Sequence, residues 1–112
     1  MDHSVNFLEA LLFKTQSKEI NQRFEELVQS CPDDVEILNI ASSIKGLSDF
    51  VLGAIESGSI SQELYDSLYQ ALKDLSATLY DLTIAEGEQL KYVISRAYAK
   101  LNSANSIVEK LS

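Results

Sequence analysis

Between Tyr65 and Leu82, large apolar residues recur at alternating steps of three and four: Tyr65, Leu68, Leu72, Leu75, Leu79 and Leu82. Only an α-helix gathers that spacing into one stripe, and a stripe of this kind has to face other helices. The same period appears on either side of it. Ile37, Ile40, Ile44, Leu47, Val51 and Ala54 form a second seam, and Leu90, Ile94, Ala97, Leu101, Ala104, Val108 and Leu111 form a third. The pattern therefore predicts helices over 34–57, 60–84 and 88–111.

Residues 4–30 also read as helix, but in two phases. Val5, Leu8, Leu11 and Leu12 share one face, whereas Ile20, Phe24, Leu27 and Val28 share another about half a turn away in azimuth, at roughly 100° per residue. Thr15, Gln16 and Ser17 lie between the phases. The expectation is one helix, kinked near Thr15–Ser17. The alternative is a separate arm, 4–14, with a partner surface of its own on another subunit.

Turn chemistry separates the helices. In Ser30-Cys31-Pro32-Asp33 the proline disfavours helix at the residue before it and suits the start of the next. Asp33 and Glu36 have the spacing of a capping box, as do Ser59 and Gln62, and Gly58 suits a helix C-terminus. Gly87, within Ala85-Glu86-Gly87-Glu88, is the sole mark of a turn between the last two seams; without it they would form one helix of about fifty residues at the period of 3.6. With that turn, four rods of about 25 residues are each roughly 37 Å long. Connections this short make successive helices antiparallel. The expected architecture is all-α, an antiparallel up-down four-helix bundle forming a single domain over 1–112. Seams do not determine the order of the helices around its core.

Composition adds limits. With 46% apolar and 23% charged residues, the chain has the make-up of a globular domain. A net charge of −8 argues against binding nucleic acid as a polyanion, and favours solubility or a basic partner. The charge is uneven: Lys91, Arg96, Lys100 and Lys110 against Glu88 and Glu109 leave residues 88–112 at +2, and the rest at −10. A positive last helix is expected to settle against acidic neighbours. The one cysteine, Cys31, excludes an intrachain disulfide. Asp2 and His3 stand where a signal peptide needs basic residues, and no apolar run approaches the ~20 residues of a membrane span. A cytoplasmic location without membrane association is expected.

Reactive groups are sparse. His3 is the only histidine, so any Ser-His or Cys-His pair would have to use it. Cys31 has no activating cation beside it in sequence. The Glu-x-x-His pairs of di-metal bundles are absent, and Gly46, Gly53, Gly58 and Gly87 are too scattered for a phosphate loop. Asp33, Asp34 and Glu36 suit a helix N-terminus without any metal. A non-enzymatic protein without cofactor or metal is expected.

One face stands out. Opposite the Ile37–Ala54 seam lie Asn39, Ser42, Ser43, Gly46 and Gly53, with Val35, Lys45 and Phe50 nearby. Each interior glycine costs a helix about 1 kcal/mol, so something has to offset that loss. The bland reading is close approach of another helix, in the bundle or in a dimer; the functional one is a shallow docking surface comprising Asn39, Ser42, Ser43, Lys45, Gly46, Phe50 and Gly53. Within it, Ala41-Ser42-Ser43-Ile44-Lys45-Gly46 resembles the Ala-His-x-Ile/Leu-Lys-Gly motif of histidine phosphotransfer domains, four-helix bundles that pass a phosphoryl group to response regulators. Ala41, Ile44, Lys45 and Gly46 agree with the motif. Ser42 replaces the phosphorylated histidine, so the resemblance implies binding to a receiver domain without phosphotransfer.

Three functions follow. The first is a non-catalytic interaction protein that acts through a helical face, on a foreign partner or as a homodimer. The second is an acidic inhibitor or immunity-type protein that neutralises a basic toxin or nuclease. The third is the histidine-less phosphotransfer-like module.

Overall fold

In a computed structural model, which describes residues 6–111, four α-helices follow one another: α1 (Phe7–Ser30), α2 (Val35–Glu56), α3 (Gln62–Ile84) and α4 (Gly87–Val108), with a 3-10 turn at Glu109–Leu111. His3 and Val5 lie outside the described residues. Each terminus has a local cause. Asn6 caps α1 by accepting from the backbone N–H of Glu9, whose carboxylate accepts in return from the N–H of Asn6. At α2 the cap is Asp34, whose carboxylate accepts from the N–H of Ile37 at 3.1 Å. The expected cap at Asp33 is one residue early, because the turn after Pro32 is closed by the N–H of Asp34 donating to the carbonyl of Cys31. At α3 the cap is Ser61, not Ser59. Ser59 instead closes α2: its N–H donates to the carbonyl of Ala54, while Gly58, at φ +76°, donates to Ile55. Those two bonds make a Schellman ending, which requires a left-handed residue and explains the glycine. Gly87, at φ +60°, serves the turn at residues 85–86, so α3 and α4 are separate helices.

The seams form one core. All six members of the Tyr65–Leu82 seam are buried, four of them with no exposed surface. From α2 come Ile37, Ile40, Ala41, Ile44, Leu47, Val51 and Ile55, with Ala54 partly buried; from α4 come Val93, Ala97, Leu101 and Ala104. The alanines leave α4 the thinnest contributor. From α1 come Phe13, Ile20 and Leu27, seven residues apart, with Ala10 and Phe24 partly buried beside them. The helix is unbroken through Thr15–Ser17, so residues 7–14 are not a detached arm. Gln16 and Ser17 are buried on the core side, and the Ser48 hydroxyl donates to the hydroxyl oxygen of Ser17 across the α1–α2 seam.

Helix order around the core follows from which helices touch. α1 packs on α2 and α3; α4 packs on α3 and more sparingly on α2; α1 and α4 make no close backbone approach. The circuit is therefore α1–α2–α4–α3, and the connection over 57–61 crosses the diagonal. Successive helices alternate in direction, so the neighbours α1 and α3 run parallel. Tyr65 reaches the carbonyl of Glu9 at 2.8 Å, and Arg23, fourteen residues further along α1, reaches the carbonyl of Ser76, eleven residues further along α3, at 2.7 Å. The bundle is elongated, measuring 52 × 23 × 18 Å.

Candidate functional site

Residues of α2 step round its axis by about 100°, which places Ser42, Gly46 and Gly53 opposite Ile44 and Val51. All three are exposed, as are Asn39 and Ser43. Larger apolar residues flank this strip: Val35, at its start, is 70% exposed, and Phe50, between Gly46 and Gly53, 58%. Lys45 is different. It turns toward α1, where its ammonium lies 6.0 Å from the ring centroid of Phe24 and bonds Asp49 at 3.0 Å. The face thus collects six of the seven residues singled out in the sequence, with Lys45 on its edge.

Close approach of a helix within the bundle does not explain the glycines. A Cβ placed on Gly46 or on Gly53 meets nothing within 4 Å. The small side chains leave room that no other described residue fills. Beside Phe50 the surface dips into a groove of about 480 Å³ between α2 and the end of the chain, lined by Asp49, Phe50, Gly53, Ala54, Ser57, Ser59 and Leu111.

A second face lies at the start of α1. Phe7 is 75% exposed, Leu8 69%, Leu11 43% and Leu12 55%. Phe7 and Leu11 also border a groove of about 440 Å³ with Ala10, Lys14, Ile55, Glu56 and Gly58. Leu8, Leu11 and Leu12 are one of the two phases evident in the sequence. Phe7 joins them, whereas its neighbour in type, Phe13, is core. The spacing of Phe13, Ile20 and Leu27 was the available signal for that division.

Between these faces the polar contacts hold the bundle. Phe13, Tyr65 and Tyr69 cluster with ring centroids 5.8 to 6.4 Å apart. Glu9 accepts from the side-chain amide of Gln62. Burial pushes the Tyr65 phenol up to about 12, and the negative charge of Glu9 adds to the effect. Such a phenol keeps its proton at neutral pH and serves as a hydrogen-bond donor. Arg23 bonds Glu19 at 2.7 Å and lies 5.3 Å from the ring centroid of Tyr80. On α4, Lys100 approaches Asp74 at 3.7 Å, the one ion pair among the described residues that links the basic last helix to another helix. Cys31 is half-buried and free. Among the described residues no three His, Cys, Asp or Glu side chains come together as a metal site, and no helix is long and apolar enough to cross a membrane.

The fold and its faces define a four-helix bundle with two helical surfaces that no other described residue covers. No family model matches the chain, and no solved structure matches it significantly. Across 112 residues it is 38% identical to an uncharacterized protein of Aquifex aeolicus (strain VF5), with 96% of this chain and 97% of that one covered. The chain belongs to the same family as that protein, and the likeness spans the whole bundle rather than one motif.

Proposed function

We propose that the protein is a non-catalytic interaction module of the cytoplasm, an adaptor or regulator that docks a protein partner on the outward face of α2. The observation that carries this reading is the open space over Gly46 and Gly53 beside the exposed ring of Phe50. Glycine inside a helix lowers stability by about 1 kcal/mol, and no contact with a described residue offsets it here. A partner helix or loop seated over the two glycines would gain close backbone contact, with Phe50 as its aromatic anchor. Ser42, one turn from Gly46 on the same face, is exposed as the resemblance to histidine phosphotransfer domains requires of that position. This favours a receiver-like domain as the partner over a basic toxin, for which overall charge is the one supporting feature.

The test is capture of partners from the native cell with a tagged chain and with its Gly46→Arg variant. An arginine at this open position leaves the bundle folded, as far-UV circular dichroism would show, and removes the captured partner. A partner retained in full by the folded variant would defeat the reading. A basic inhibitor target would instead show an association rate that falls steeply with salt.

A further inference from the structure

The apolar face at the start of α1 is as large as the largest apolar patch of a typical monomer, roughly 300–600 Å². Phe7, Leu8, Leu11 and Leu12 are contiguous on the outward side, and their exposed fractions correspond to on the order of 450 Å² of apolar surface, taking roughly 200 Å² for a large side chain. A stable interface buries roughly 800 Å² on each partner, a little over half of it apolar. One such face therefore supplies about the apolar area that one side of an interface needs.

Charge identifies the occupant. The chain carries −8, so two copies repel wherever their carboxylates face each other. This surface is an exception. Of the described acidic groups near it, Glu19 is paired with Arg23, and Glu9 is turned aside to the neutral Gln62 and Asn6. Lys14 and Glu56 remain, on opposite walls of the same groove, and neither forms an ion pair among the described residues. A cation and an anion flanking an apolar stripe are self-complementary under two-fold symmetry.

We propose that the first half of α1 pairs two copies of this chain in a two-fold dimer. The α1 helices cross antiparallel near Ala10 and Leu11, with Leu8, Leu11 and Leu12 packed against their counterparts. Both α2 C-termini then lie on the same side of the crossing, which brings Lys14 of each copy toward Glu56 of the other. The dimer rests on the interaction-module reading in naming a second copy as one partner, but it uses a different face. The docking strips on α2 remain free, and the assembly presents two of them.

Light scattering on the full chain across a concentration series tests it. Wild type is expected to move from the protomer mass of 12.4 kDa to twice that value as concentration rises. The double variant Leu8→Asp, Leu11→Asp is expected to stay at the protomer mass with unchanged helicity. Lys14→Glu is expected to weaken the dimer about tenfold, and adding Glu56→Lys to restore it. A wild-type chain that stays monomeric to millimolar concentration overturns the proposal, including one that binds anionic phospholipid vesicles through the same leucines. So does a dimer indifferent to the leucine substitutions, or to Lys14→Glu. Gly46→Arg is expected to leave the dimer intact, so failure of the α2 reading and failure of this one are read separately.

Discussion

The middle of α3 and the start of α1 are built from the same residue types and end in opposite surroundings. Leu68, Leu72, Leu75 and Leu79 have no exposed surface, while Leu8, Leu11 and Leu12 are between 43% and 69% exposed. Hydrophobicity alone does not separate them. What differs is phase. The α3 leucines continue one stripe for the whole length of the helix, and that stripe stays on the side where α1 and α4 pack. On α1 the stripe that reaches the core is Phe13, Ile20 and Leu27, and a helix presents only one side to its bundle. The second stripe is left outside because Phe13 already occupies the inward position. A leucine is thus core when its azimuth agrees with that of the rest of its helix, and surface when it does not.

Adjacent residues on α1 offer the sharpest way to break this comparison. Phe13→Ala is expected to lower stability by about 3–5 kcal/mol, because the ring is fully buried against Tyr65 and Tyr69. Leu12→Ala, one residue away and 55% exposed, is expected to change it by less than about 0.5 kcal/mol in the protomer. Urea unfolding at low protein concentration measures both, and equal losses would show that the outer stripe is covered within the protomer. Leu72→Ala should cost about 2–5 kcal/mol in the same assay, placing the α3 seam with Phe13.

A smaller effect sharpens the junction between the two regions. Tyr65→Phe removes the hydrogen bond to the Glu9 carbonyl and is expected to cost about 1 kcal/mol at neutral pH. Its pH dependence has a definite sign. The folded-state pKa is raised from 10.0 to about 12, so the stabilisation is fully present below pH 10. As pH rises from 10 toward 12 the unfolded chain loses that proton first, and stability falls. Tyr65→Phe is expected to reduce the stability lost over that window; an unchanged alkaline profile would exclude Tyr65 as its source.

Gly46→Ala gives a small change of the opposite sign. With nothing within 4 Å of the added methyl, it is expected to raise stability by roughly 0.5–1 kcal/mol through helix propensity. A loss would mean that the position is packed after all.

Much of the bundle was legible in the residues. Three-four spacing is dictated by helical geometry, so Tyr65–Leu82 and Ile37–Val51 declared their elements and their buried sides directly. Gly87 marked the turn it serves. Caps were less legible: Asp33 and Asp34, or Ser59 and Ser61, offer the same chemistry two residues or fewer apart, and local hydrogen bonds around Pro32 and Gly58 decide between them. The outward face of α2 was evident as a collection of small residues, but its openness was not. Whether Gly46 and Gly53 admit a neighbouring helix depends on where α1 and α4 sit, and no periodicity within α2 contains that information. The same holds for α1, where two stripes were visible and the packing against α3 selected one. Helix order around the core came from tertiary structure alone, because a seam specifies that a side must be covered and is indifferent to which helix covers it. The sequence by itself determined four amphipathic rods and their turns; long-range packing decided the circuit α1–α2–α4–α3, and with it which apolar and small residues were left facing outward.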